Sequence, residues 1–137
     1  MRILLVEDNS MNSTFIAAVF EPEGHRITLA NTGPDGLVAG LGQAFDLIVL
    51  DIELPGLRGD AICQQLRAAG VRTPIVALTA SAMPDQLKAV GTAGFDEVMT
   101  KPVEPKLLRA MARRYDRQGY SADGPAPVSA DSGSSGS

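Results

Sequence analysis

Short, uninterrupted apolar runs recur along this chain, and they restrict its possible fold more than any other feature. Residues 3–6, 47–50 and 75–78 are entirely apolar. Continuous rather than alternating apolar sequence is typical of strands that are buried on both faces, as in a parallel sheet. Residues 27–30 and 97–100 are less uniformly apolar. This difference predicts that they form the two edge strands of the same sheet.

The segments between these runs have the apolar spacing of amphipathic helices. The pattern predicts a second helix at 33–42, although its glycines weaken the signal. The residues expected to face inward from the first and fourth helices are Met11, Phe15, Val19, Met83, Leu87 and Val90. Alternating strands and helices of these lengths predict a three-layer α/β domain with right-handed crossovers.

The length of 137 residues suits one domain. We expect that domain to span residues 1–115. Residues 116–137 are rich in Gly, Ser and Pro and show no apolar period. Because such a segment cannot bury enough apolar surface to order itself, a flexible tail is predicted.

Composition narrows the possible functions. The net charge of −4 and the lack of a basic run argue against nucleic acid as a direct partner. A single cysteine, Cys63, and a single histidine exclude a Cys/His zinc site, and Cys63 is expected to be a small buried residue. No apolar stretch is long enough to span a membrane, and the first residues do not resemble a signal peptide. A cytoplasmic location is therefore the default expectation.

Candidate functional side chains follow four of the five predicted strands, and the second strand is followed only by Asn31 and Thr32. Glu7 and Asp8 follow the first strand, Asp51 the third, Thr79 the fourth and Lys101 the fifth. Each residue alone has an ordinary explanation as a helix cap, a turn residue or a surface charge. Because the carboxyl ends of parallel strands meet at one edge, where sites form in open α/β sheets, we expect these five side chains to converge.

The expected cluster has a clear chemical use. Three neighbouring carboxylates repel one another, and a divalent cation relieves the repulsion. Oxygen ligands without histidine or thiolate favour magnesium, manganese or calcium. The lysine and the threonine are suited to bind the oxygens of a phosphoryl group.

Residues 4–9, 50–56 and 77–80, together with Lys101-Pro102, resemble the receiver domains of bacterial response regulators, of the chemotaxis-regulator type. The resemblance covers about residues 1–115. It implies a doubly wound, flavodoxin-like, five-stranded parallel sheet with strand order 2-1-3-4-5. It also implies a cis peptide bond between Lys101 and Pro102.

The resemblance implies a role for each acidic residue. Asp51 would take a phosphoryl group from a phosphohistidine on a sensor histidine kinase or a histidine phosphotransfer protein, giving an acyl phosphate. Asp8 and Asp51 would bind Mg²⁺ directly, and Glu7 would act through bound water. The backbone carbonyl of Glu53 would complete the protein's share of the ligands. The chain would be a phosphoacceptor that catalyses its own phosphorylation and slow dephosphorylation, rather than an enzyme acting on other molecules.

The remaining roles also come from the resemblance. Lys101, the Thr79 hydroxyl and the Ala80 backbone N–H would bind the phosphoryl oxygens, and positioning would dominate the transfer. The donor protein would contact Asn12, Phe15 and Pro102. The helical spacing of Phe15 is equally compatible with a core position. Output would pass to a downstream protein target.

Two departures from the family pattern affect the switch. Val98 lies where relatives commonly carry an aromatic residue, so we expect its part of the coupling to Thr79 to be weak. The side chains of Glu53 and Ser81 lie where the family tunes the lifetime of the phosphorylated state, and the sequence leaves the sign of their effect open.

Two alternatives remain open. A phosphohydrolase of the haloacid-dehalogenase type also uses an aspartate nucleophile, but Glu53 stands where its second aspartate would be, and there is no room for a cap domain. A degenerate receiver that binds partners without phosphorylation is disfavoured, because all five site residues are present.

Overall fold

The computed structural model describes residues 1–81 and 83–117. In chain order the elements are β1 (Arg2–Val6), α1 (Ser10–Phe20), a 3-10 helix (Glu21–Glu23), β2 (Arg26–Ala30), α2 (Gly33–Gly42), β3 (Leu47–Asp51), α3 (Gly59–Ala68), β4 (Ile75–Thr79), α4 (Pro84–Ala93), β5 (Glu97–Thr100) and α5 (Pro105–Arg117). Helix α5 continues two residues beyond the predicted domain end at 115. The predicted tail from residue 118 onward lies outside the described residues. Among the described helices, none has the length and apolar character needed to cross a membrane.

All five strands are parallel and lie in the order β2-β1-β3-β4-β5. The predicted doubly wound α/β fold with order 2-1-3-4-5 is therefore confirmed. The register aligns the carboxyl ends of the strands, since Asp51 lies opposite Leu78 and Thr79 lies opposite Thr100. This alignment brings the residues that follow the strands to one edge of the sheet.

Burial follows the apolar runs. Strands β3 and β4 are buried along their whole length, and β1 is buried after Arg2. Strands β2 and β5 are only partly buried, as expected of edge strands. One core cluster joins the sheet to α1 and α5, a second joins its opposite face to α2 and α3, and a small third cluster joins the sheet to α4. Cys63 is fully buried in the second cluster, as predicted, and burial raises the pKa of its thiol to about 11.

The predicted inward faces of α1 and α4 are partly wrong. Met11 is 81% exposed and Phe15 is 44% exposed, whereas Val19 is buried. The buried residues of α1 are Ser13, Ile16, Val19 and Phe20, so the face that packs on the sheet is rotated away from Met11. Helix α4 behaves similarly, because Met83 and Leu87 are exposed while Val90 is buried.

Helix α2 packs against the sheet through its glycines. Gly33, Gly36 and Gly40 are its buried residues. A Cβ on Gly36 would lie 2.7 Å from the side chain of Val6, and one on Gly40 would lie 2.9 Å from Leu66. The glycines that weaken the helix signal in the sequence are thus the ones that let this helix approach β1 and α3 closely.

Candidate functional site at the carboxyl edge of the sheet

The five side chains predicted to converge lie at the carboxyl edge of the sheet, hereafter the site edge. Lys101 Nζ lies 3.0 Å from Asp51 Oδ2 and 3.2 Å from Glu7 Oε1. Glu7, Asp8 and Asp51 each offer a carboxylate oxygen, and these oxygens lie within 4.8 Å of one another. Thr79, the last residue of β4, is fully buried beside them.

Local backbone contacts fix these positions. The Glu53 N–H donates to Asp51 Oδ1 at 3.0 Å, which orients the Asp51 carboxylate. The Lys101 N–H donates to the Thr79 carbonyl at 2.8 Å, which ties the end of β5 to the end of β4. The bond from Lys101 to Pro102 is cis, as the family resemblance implied.

The loop after β1 holds Glu7 in a similar way. The Asn9 N–H donates to Glu7 Oε2 at 3.1 Å, and the Asn9 side chain caps α1 by accepting from the Asn12 N–H. The first turn of α1 therefore begins beside the acidic cluster.

Burial and charge oppose each other in this cluster. Burial raises the pKa of Glu7, and the nearby Asp51 carboxylate raises it further, while the Asn9 N–H and Lys101 act in the opposite direction. Burial lowers the pKa of Lys101, but the hydrogen bond and charge of Asp51, together with Glu7, outweigh it and leave the pKa above its ordinary value. One ammonium thus serves two buried carboxylates.

Glu7 Oε1 is the buried side-chain atom that lacks a hydrogen-bond partner within residues 1–81 and 83–117. Its contact with Lys101 Nζ is within ion-pair distance but does not have hydrogen-bond geometry. A buried carboxylate oxygen with spare capacity next to two further carboxylates suits a hard cation, either directly or through a bound water. The donor set therefore fits magnesium.

The side chain of Glu53 makes contacts that the sequence did not reveal. Glu53 Oε2 accepts from the Thr79 hydroxyl at 2.8 Å, and Oε1 accepts from the Ala80 N–H at 3.1 Å. The sequence drew attention to Glu53 only through its position two residues after Asp51. Whether its side chain would reach the end of β4 depends on a rotamer that no sequence pattern indicates.

The three residues predicted to contact a partner border one open pocket. Asn12, Phe15 and Pro102 line it together with Glu7 and Lys101. The exposure of Phe15 removes the alternative that it is a core residue. An apolar surface therefore lies next to the acidic cluster.

Val98 lies in β5 and is partly buried. It packs against a small cluster formed by Ile52, Ala77 and Val90. Its aliphatic side chain fills space between the sheet and α4. The weak coupling expected for this position stays a prediction.

The sequence profile of the response regulator receiver domain matches residues 3–113. The chain is 37% identical over 113 residues to the sensor histidine kinase AruS of Pseudomonas aeruginosa, covering 80% of this chain and 11% of that protein. It is 38% identical over 119 residues to the transcriptional regulatory protein DltR of Streptococcus agalactiae, covering 86% of this chain and 53% of that protein. The chain thus spans at most about half the length of these curated relatives.

Among solved structures, the receiver domain of the sensor histidine kinase PA1611 from Pseudomonas aeruginosa superposes with a TM-score of 0.78 at 34% identity. The match covers 83% of this chain and 95% of that one, and that structure has a magnesium ion coordinated in its active-site cleft. Fold and site together define an α/β phosphoacceptor of two-component signalling. The chain belongs to the response regulator receiver domain family. The comparisons give no support to the phosphohydrolase alternative.

Proposed function

We propose that Asp51 is the residue that accepts the phosphoryl group. The observation that carries this proposal is the position of Lys101 Nζ, 3.0 Å from Asp51 Oδ2 in a pocket that also contains Glu7 and Asp8. The donor is a phosphohistidine on a sensor histidine kinase or on a histidine phosphotransfer protein. The phosphorylated domain then signals by contact with a downstream protein.

The transfer needs little covalent chemistry from the protein. An oxygen of the Asp51 carboxylate bonds to phosphorus while the phosphorus–nitrogen bond of the donor breaks, and its electron pair stays on the imidazole nitrogen. Lys101 neutralises negative charge on the transferred group, and Thr79 and Ala80 can donate hydrogen bonds to its oxygens. Loss of the group by hydrolysis returns the carboxylate, so the chain promotes reactions of its own side chain.

Magnesium is the proposed cofactor. Asp8, Asp51 and the Glu53 backbone carbonyl would hold it directly, with Glu7 acting through water. When bound, it supplies positive charge that offsets the carboxylates and the phosphoryl oxygens. Two observations support this assignment: Glu7 Oε1 lacks a hydrogen-bond partner among the described residues, and the PA1611 domain binds magnesium in its cleft.

The pocket lined by Asn12, Phe15 and Pro102 is the proposed docking surface for the phosphodonor protein. The net charge of −4 is unfavourable for binding nucleic acid, and in helix α5 Arg113 pairs with Glu23 and Arg114 pairs with Glu97. We therefore propose that the partners are proteins and that the chain does not bind nucleic acid or membranes directly. We also propose a cytoplasmic location.

Incubation with Mg²⁺ and acetyl phosphate, followed by intact-mass measurement, tests the assignment. We expect one phosphate adduct on the wild-type chain and none on Asp51→Asn. Asp46→Asn is the matched control, because Asp46 precedes the other end of the same strand and accepts the Arg2 N–H, which an asparagine oxygen can also do. Its adduct should form normally.

Folded wild-type protein without an adduct would instead favour the degenerate receiver. Sustained turnover of p-nitrophenyl phosphate would favour a phosphohydrolase.

A further inference from the structure

The Glu53 carboxylate occupies both hydrogen-bond donors that the proposed function assigns to the phosphoryl group. It accepts from the Thr79 hydroxyl at 2.8 Å and from the Ala80 N–H at 3.1 Å. We propose that Glu53 is a positioning residue that acts as an internal stand-in for the phosphoryl oxygens and must leave before Thr79 and Ala80 can bind them. This inference rests on the proposed function.

The number of donor hydrogens makes this occupation exclusive. The Thr79 hydroxyl has one hydrogen, and its two possible acceptors are Glu53 Oε2 at 2.8 Å and the Ser81 carbonyl at 3.0 Å. The carboxylate is the closer acceptor and carries charge, which makes it the stronger one. The Ala80 N–H also has a single hydrogen, directed at Glu53 Oε1. A phosphoryl group must therefore replace Glu53 at both donors.

Burial indicates which partner moves. Thr79 is fully buried, whereas Glu53 is exposed. A carboxylate released from Thr79 can rotate into water and be hydrated, while the buried hydroxyl remains and needs another acceptor. Phosphorylation supplies that acceptor, and its negative charge repels a carboxylate that stays nearby. The exchange is reversible, because hydrolysis of the phosphate leaves the donors free for Glu53 again.

The backbone of the same residue contributes to the arrangement. The Glu53 N–H holds Asp51 Oδ1, while its side chain reaches the end of β4. Glu53 thus links the proposed phosphorylation site to the start of the segment that leads into α4. Its displacement frees the β4 end at the moment when Asp51 becomes modified.

Three substitutions of Glu53 separate the effects of its acceptor oxygens, its charge and its length. Glu53→Ala frees both donors and removes the charge. Glu53→Gln keeps the size but offers one acceptor oxygen instead of two. Glu53→Asp keeps the charge and shortens the reach by one methylene group. Glu21→Gln, at the far end of α1, removes the same charge away from the site and should match the wild type.

The first measurement is the amide resonance of Ala80 in unphosphorylated protein with Mg²⁺. Loss of its hydrogen bond should shift the amide proton upfield in Glu53→Ala and in Glu53→Asp, and leave it in place in Glu21→Gln. The second is the rate of adduct formation with acetyl phosphate. We expect a rise of about tenfold for Glu53→Ala, corresponding to about 1.4 kcal/mol, and a smaller rise for Glu53→Gln.

The outcomes are distinguishable from those for the proposed function. If the wild-type chain never forms an adduct, the proposed function is wrong. The Ala80 resonance still shows whether Glu53 accepts the hydrogen bond of the Ala80 N–H. An adduct on the wild type with unchanged rates and Ala80 shifts in Glu53→Ala overturns this inference alone. Wild-type rates in Glu53→Asp, despite a shifted Ala80 resonance, would also overturn it, because charge rather than occupation of the donors would then control the reaction.

Discussion

The two edges of the sheet differ in how fully their charged and polar groups are paired. At the site edge, one ammonium faces two buried carboxylates, and in the part of the chain that the structure describes Glu7 Oε1 has no hydrogen-bond partner. At the opposite edge, Arg67 donates to the carbonyls of Gly94, Val71 and Thr73 and to the Asp96 carboxylate. The carboxylates of the site edge outnumber the ammonium that pairs with them, so this edge can still accept a cation. The opposite edge uses its capacity to join α3 to the loops that precede β4 and β5.

The comparison predicts that function and stability can be changed separately. Asp51→Asn should abolish the adduct without unfolding the protein. Substitutions at the opposite edge should lower the free energy of unfolding while the folded protein still accepts phosphate.

Gly59→Ala should have the largest effect, because it disturbs the backbone of the site edge itself. A Cβ at Gly59 would lie 2.8 Å from Ile52 Cα and would also meet the Asp51 carbonyl. Backbone atoms cannot rotate away, so we expect a loss of about 3 kcal/mol in the free energy of unfolding, measured with urea. Gly91→Ala is the matched control, since a Cβ there meets nothing within 4 Å. An alanine at this exposed helical position should stabilise by about 0.5–1 kcal/mol.

Arg67→Ala should lower the free energy of unfolding by about 2 kcal/mol, because it leaves several partly buried acceptors without their donor. The rate of phosphorylation by acetyl phosphate should stay within about twofold of the wild type, a difference of about 0.4 kcal/mol. Arg58→Ala removes a solvent-exposed pair with Asp60 and should cost less than about 1 kcal/mol. A large change in phosphorylation rate for Arg67→Ala would mean that the two edges are coupled.

The smallest effect should be a pH dependence of the free energy of unfolding that arises from Glu7. The folded-state pKa lies above the ordinary value of 4.5, so the folded chain retains a proton that the unfolded chain has lost. In EDTA, the stability contributed by protonated Glu7 is present below pH 4.5 and is lost as pH rises through the raised pKa. Lys101 titrates above 10.5, outside this window.

Urea unfolding in EDTA from pH 5 to pH 7 measures this effect. The stability of the wild type relative to Glu7→Gln should fall as pH rises. Saturating Mg²⁺ should reverse the trend, because the cation favours the ionised carboxylate. A difference that stays constant with pH would show that Glu7 is not strained by burial.

The sequence was sufficient to predict the fold and most residues of the candidate site. Apolar runs located all five strands, and the residues that follow them contained the carboxylates, the hydroxyl and the ammonium. It was less informative about helix faces, because the exposure of Met11 and Leu87 depends on how each helix is rotated about its axis against the sheet. The sequence also could not predict the hydrogen bond between Thr79 and Glu53, because residue spacing does not determine the direction of a side chain.

The glycine face of α2 has a consequence for behaviour in solution. Gly33, Gly36 and Gly40 are turned inward and Leu37 packs against the core, while two other aliphatic side chains of this helix lie outside, Val38 at 70% exposed and Leu41 at 52% exposed. The exposed Val38 and Leu41 side chains form a small apolar strip on the surface. We expect the chain to self-associate through this strip at high concentration. Val38→Lys should improve solubility without changing the packing of the core.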